Sequence, residues 1–165
     1  MSADVAAVAE NIPSVCTVVR CLAAAGGEFA GYIWTGEQDS SDGGSVWRCP
    51  NNNTFDQSNP DSPGPGCVKL DDPGLYRYPT SMVLGNGYLY VGLSRYHQFA
   101  NYEDALMWRC EPWTQNSCTT FNQPGKNTIY SMAIGAGYLW AGLESNILWR
   151  CSLEYPDCNV FKEQR

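Results

Sequence analysis

One pattern occurs three times along the chain, and it decides what the chain can fold into. The clearest copy runs Tyr130-Ser131-Met132-Ala133-Ile134-Gly135-Ala136-Gly137-Tyr138-Leu139-Trp140-Ala141-Gly142-Leu143, then Ile147-Leu148-Trp149-Arg150-Cys151 and Cys158-Asn159-Val160-Phe161. The middle copy reads Thr80-Ser81-Met82-Val83-Leu84-Gly85-Asn86-Gly87-Tyr88-Leu89-Tyr90-Val91-Gly92-Leu93, then Leu106-Met107-Trp108-Arg109-Cys110 and Cys118-Thr119-Thr120-Phe121. The first is looser: Leu22 to Ala25, Gly31-Tyr32-Ile33-Trp34-Thr35-Gly36, Val46-Trp47-Arg48-Cys49 and Cys67-Val68-Lys69-Leu70. A repeat of roughly 40 residues calls for an architecture in which neighbouring units cover one another.

Each copy divides into four strands. The Ser-Met segment is the first, and a Gly-x-Gly turn, where glycine supplies the positive φ of a tight hairpin, leads to the second. A variable loop precedes the third strand, x-x-Trp-Arg-Cys, and the fourth starts at a partner Cys. In Tyr138 to Leu143 both alternating sets are apolar or small, which predicts a strand covered on both faces. Gly142 is expected to make room for a neighbouring aromatic, and Gly137 to serve the hairpin. Pro73-Gly74 and Pro124-Gly125 punctuate the copies. The resulting fold class is all-β: three four-stranded, propeller-like, disulfide-stapled blades, at about 21–74, 75–125 and 126–165, behind an N-terminal arm of residues 1–20. Strand count and repeat length resemble kelch-type and WD-type propeller repeats, although neither signature dipeptide is in place. The Gly-Tyr-Leu-Trp-x-Gly and Leu-Trp-Arg-Cys segments with a following Cys resemble repeats of large secreted green-algal proteins, over residues 21–161.

Six of the eight Cys fall in ordered pairs, one per repeat, which points to disulfides Cys49 with Cys67, Cys110 with Cys118 and Cys151 with Cys158 in an oxidising, extracellular or cell-surface setting. Partners 18, 8 and 7 positions apart with no CxxC and one His argue against zinc. Cys16 and Cys21 lie too far apart along a straight strand to bond each other, so they are candidates for an intersubunit bridge or a bent-chain one. A net charge of -7, with basic residues spread along the chain, argues against nucleic acid. No apolar run reaches the roughly 20 residues of a membrane span, and residues 1–15 lack the features of a signal peptide.

The recurring Arg48, Arg109 and Arg150 point away from the Trp and Cys that flank them. Stacking on aromatic rings, or pairing with an acidic turn residue of the next blade, is favoured over a ligand site, and Trp34, Tyr90 and Trp140 are expected between blades. Asp39-Ser40-Ser41-Asp42-Gly43-Gly44 reads as a solvated turn rather than a calcium loop. Asn52-Asn53-Thr54 is an N-glycosylation acceptor. His97, without a nucleophile motif, and Asp39, Asp42, Asp71, Asp72, Glu103 and Asp104, without a paired spacing, give no catalytic residue, and no cofactor or metal is called for.

Three blades do not close a propeller, and the expectation is that both outer faces expose aromatic sheet surface. A non-enzymatic structural subunit of an extracellular filament, sheath or surface layer is the first reading, self-associating through its unfinished edges and an arm, Ser2 to Val19, that pairs with a neighbour. A carbohydrate-binding module, with Tyr96, Phe99, Tyr102 and Trp113 stacking on sugars, is the alternative.

Overall fold

Among the described residues, the segments rich in Val, Ile, Leu, Tyr and Trp form twelve strands, and the glycine and proline clusters separate them. The computed structural model describes residues 18–24, 27–39, 43–52, 64–72, 77–95, 105–125, 128–155 and 157–163. Sheet 1 contains β1 (Val18–Ala24), β2 (Tyr32–Asp39), β3 (Gly43–Pro50) and β4 (Val68–Asp71). Sheet 2 contains β5 (Arg77–Gly85), β6 (Tyr88–Arg95), β7 (Ala105–Cys110) and β8 (Thr119–Gly125). Sheet 3 contains β9 (Ile129–Gly135), β10 (Tyr138–Leu143), β11 (Ile147–Ser152) and β12 (Cys158–Glu163). In all three the strands lie in chain order and pair antiparallel.

β1 runs from Val18, and Val18 and Val19 pair with Gln38 and Glu37, so the strand takes in residues assigned to the arm. Pro124 and Gly125 end β8, whose outer position lets a proline sit without breaking a ladder.

Sheet 2 lies between the other two: β5 packs on β1, β2 and β3 on one side and on β9 on the other. Alternation sends Leu89, Val91 and Leu93 into a core shared with Trp34, Val46 and Leu70 of sheet 1. It sends Tyr90 the opposite way, into a core shared with Ile129, Leu139 and Leu143 of sheet 3. Among the described residues the sheets do not close on one another. Each of the three expected disulfides is formed, with Cα separations of 4.2, 4.0 and 3.9 Å. Each joins a third strand to its fourth.

The hairpins β5–β6 and β9–β10 turn on two residues, both with positive φ: Asn86 at 51° with Gly87 at 77°, and Ala136 at 52° with Gly137 at 78°. Only Gly137 was expected there, and Ala136 shares the left-handed conformation. An L-alanine in the left-handed region is itself strained. Replacing Ala136 by Asn, the residue the sister turn uses, is expected to stabilise the chain by about 0.5–1 kcal/mol in urea unfolding. No gain would count against the turn geometry.

Candidate docking face

In each repeat one equivalent set of side chains shares a face, which in sheets 1 and 2 is turned toward the next sheet. Sheet 1 presents Tyr32, Trp34, Arg48 and Leu70, sheet 2 presents Tyr88, Tyr90, Arg109 and Phe121, and sheet 3 presents Tyr138, Trp140, Arg150 and Phe161. The guanidinium stacks on rings every time: Arg48 stands 5.5 Å from the Tyr32 centroid, Arg109 4.6 Å from Tyr88 and Arg150 4.7 Å from Tyr138. Phe121 and Phe161 flank the latter two at 5.5 and 5.4 Å. The arginines are held as flat spacers between aromatic rings, the first of the two arrangements the sequence favoured.

The first two of these faces are covered. Trp34 is wholly buried, and its Nε1–H donates to the Pro112 carbonyl of sheet 2 at 3.2 Å. Arg48 Nη1 donates to the same oxygen at 3.4 Å. Pro112 belongs to the stapled loop between β7 and β8, which grips sheet 1 further through Asn116 N to Leu70 O at 2.6 Å, Gln115 Nε2 to Lys69 O at 3.0 Å and Cys118 N to Asp71 Oδ2 at 3.1 Å. Trp113 of that loop lies parallel to Phe29, at 6.1 Å, and 5.0 Å from Arg48. Tyr90 repeats the arrangement one sheet on: wholly buried, it donates from its hydroxyl to the Leu153 carbonyl of the stapled loop of sheet 3, at 3.3 Å.

The third face has nothing over it among the described residues. Its strand β10 is therefore covered on one side only, through Leu139, Ala141 and Leu143, which corrects the expectation of two covered faces. Tyr138 is 38% and Phe161 55% exposed, whereas Phe121 at the equivalent place is 4%. Lacking a partner carbonyl, the Trp140 Nε1–H turns back to Gly135 O of its own sheet, at 3.0 Å. Glycines report the same difference. A Cβ on Gly85 would collide with Ile134 Cδ1, and one on Gly92 would stand 2.8 Å from Ile129 Cγ2. At Gly135 it would meet nothing within 4 Å, and at Gly142 only Ser131 Oγ of its own sheet, at 2.7 Å. Gly142 thus makes room for a serine, not for an aromatic.

Openness is not symmetric. On the outward side of sheet 1, Ile33, Trp47 and Cys49 are buried, so the expectation of two open ends holds for sheet 3 alone. Of the remaining sequence-predicted positions, Asn52 is exposed in a turn after β3 and Cys21 pairs with Gly36 in β1. Trp113 is 44% exposed but engaged with Phe29, Tyr32 and Trp34. Asp71 anchors the β7–β8 loop, and Asp72 pairs with Lys69 at 2.9 Å. Cys16, Tyr96, His97, Phe99, Tyr102, Glu103 and Asp104, the centre of the Asp39–Gly44 loop, Pro73-Gly74 and the arm up to residue 17 lie outside the described residues. The carbonyls of Pro112 and Leu153 were not anticipated. The signal available is positional, since each stands two residues after its stapled cysteine.

Burial raises the Tyr90 hydroxyl above its ordinary pKa of 10.0, with the Arg109 charge opposing and Tyr88 adding to the rise. A phenol whose folded pKa is raised stabilises the fold below about pH 10 and loses that contribution as pH climbs through the folded value. Unfolding measured from pH 8 to 11 is expected to show a loss of stability above pH 10 that Tyr90→Phe reduces. An unchanged alkaline limb in the variant would contradict this.

Among the described residues no helix is long and apolar enough to cross a membrane, and no group of three or more His, Cys, Asp or Glu could hold a metal ion. No protein family and no curated protein matches the chain.

Proposed function

We propose that the chain is a non-catalytic assembly module of an extracellular structure, a filament, sheath or surface layer, that grows by covering the aromatic face of its third sheet with another sheet. The observation that carries this reading is the equivalence of the three faces. Two of them, built from the same residue types at the same register, are each closed by the next sheet, and the third meets water with Tyr138, Trp140 and Phe161. Five of the six large apolar side chains exposed among the described residues, Tyr130, Tyr138, Tyr155, Val160 and Phe161, belong to sheet 3 or its loop. Apolar surface concentrated in one sheet marks an interaction site more often than a solvated one. Three disulfides are compatible with the extracellular setting. The three-sheet order suits an open propeller-like array, in which a further sheet continues the stack.

The reading is tested by sedimentation of the full chain from low to high micromolar concentration. The wild type is expected to associate, and the double variant Tyr138→Ser, Phe161→Ser to remain monomeric with its β circular-dichroism spectrum unchanged. A wild type that stays monomeric overturns self-assembly. The N-terminal arm is a second contact in this proposal, and since β1 starts at Val18, the deletion that probes it spans residues 2–15. A carbohydrate-binding module is the competing class. Wild-type binding on a glycan array that the double variant loses, without association, would favour it. The edge-on meeting of Trp140 with Phe161, at 88°, gives no flat pair of rings for a sugar to lie on.

A further inference from the structure

The chain holds a single Asn-x-Ser/Thr triplet, Asn52-Asn53-Thr54, and its middle residue is not the proline that would spoil it as an acceptor of N-linked sugar. No other asparagine has Ser or Thr two places on. Asn116, in the stapled loop of sheet 2, shows the contrast. Two places after it stands Cys118, whose sulfur is bonded to Cys110, and the Asn116 backbone N–H donates to Leu70 O of sheet 1. Asn52 has different surroundings. β3 ends at Pro50, paired with Tyr32, and the chain turns at once. The Asn51 N–H donates to Gly31 O at 2.9 Å, which ties the base of the turn to its own sheet, while Asn51 and Asn52 are both exposed. An exposed asparagine in a turn just past a strand end can present its side-chain amide to a large enzyme without opening a ladder.

We infer that Asn52 is a modification site and carries an N-linked oligosaccharide. The co-reactant is a sugar chain activated as a polyisoprenyl diphosphate, and a membrane-bound transferase joins the two. Asn52 Nδ2 forms its bond to the anomeric carbon as the bond from that carbon to the diphosphate oxygen breaks. The lipid diphosphate leaves with the electron pair, and the amide proton passes to a base of the transferase. Thr54 supplies the hydroxyl that marks the triplet as an acceptor. The three disulfides are compatible with the oxidising compartment in which such transfer takes place. This inference shares only that extracellular setting with the assembly reading and does not depend on the third face. Sheet 2 separates sheet 1 from sheet 3, so a bulky, hydrated group at Asn52 leaves Tyr138, Trp140 and Phe161 open.

The test follows the full chain made in eukaryotic cells behind a cleavable secretion leader. Its mass is measured before and after treatment with a peptide N-glycosidase, which removes the sugar and leaves aspartate where the glycosylated asparagine stood. The expected result is a loss of mass on treatment, with aspartate at position 52 in the peptide map of the treated chain and asparagine there in no fraction that lost mass. Asn52→Gln and Thr54→Ala are expected to abolish the mass loss, and Thr54→Ser to keep it. Non-reducing maps establish that each variant retains the Cys49–Cys67 bond, so that a lost sugar is not a lost fold. If a chain is retained inside the cell, the retained pool is mapped in the same way. A wild type whose mass does not change on treatment, or a mass loss that survives Asn52→Gln, overturns the assignment.

Discussion

Trp34→Ala is expected to destabilise the isolated chain by about 3–5 kcal/mol, and Trp140→Ala by only about 1 kcal/mol. The two residues occupy the same place in their repeats, paired with Arg48 and Arg150 on the third strand. What separates them is the neighbour. Trp34 is wholly buried among Phe29, Val46, Leu70 and Met82, so its removal leaves a cavity between two sheets that a rigid ladder cannot collapse to fill. It also breaks the indole bond to Pro112 O and loosens the stapled loop that grips sheet 1. Trp140 has water over one side of its ring and bonds within its own sheet, so alanine there forfeits only edge contacts to Phe161 at 5.0 Å and Tyr138 at 6.2 Å and the bond to Gly135 O. Urea unfolding at a concentration where the chain is monomeric measures both. Equal losses would mean that the third face is covered. In the assembled protein the order should narrow, because Trp140 then lies between sheets too.

Much of this arrangement was legible from the pattern, and the part that was not has a common cause. Four strands per repeat, the three disulfides and the stacked arginines depend on short-range periodicity, which is written in each copy separately. Whether a face is covered depends instead on the presence of a next sheet in the chain. Tyr138-Leu139-Trp140 reads as Tyr88-Leu89-Tyr90 does, yet the second lies between two sheets and the first beside one. The acceptors at Pro112 and Leu153 are backbone atoms and carry no residue preference at all. Ala136 is a local conflict: the hairpin demands two left-handed residues, and the chain supplies one glycine and one residue that resists the geometry. Gly142 was expected to make room for an aromatic, but its neighbour is Ser131 across the first hairpin, a contact visible only once the register is known.

Removing the staples should produce the largest effect of all, and not in the order of loop length. Chain entropy alone gives about 3 kcal/mol for the 18-residue separation of Cys49 and Cys67 and about 2.5 kcal/mol for each of the separations of 8 and 7. Together these approach the 5–15 kcal/mol that a domain of ordinary stability possesses, so full reduction is expected to unfold the chain, with loss of its β spectrum at room temperature. The single-pair variants, with both cysteines changed to alanine, should rank differently. Opening Cys110–Cys118 frees the loop whose Pro112, Asn116 and Gln115 hold sheet 1, and it releases the Cys118 amide from Asp71 Oδ2. Opening Cys49–Cys67 frees a loop that grips no other sheet among the described residues. The Cys110–Cys118 variant is therefore expected to be the least stable of the three in urea despite its short loop. A ranking by loop length, with Cys49–Cys67 costliest, would show that the stapled loops act only through the unfolded chain and contribute nothing as clasps between sheets.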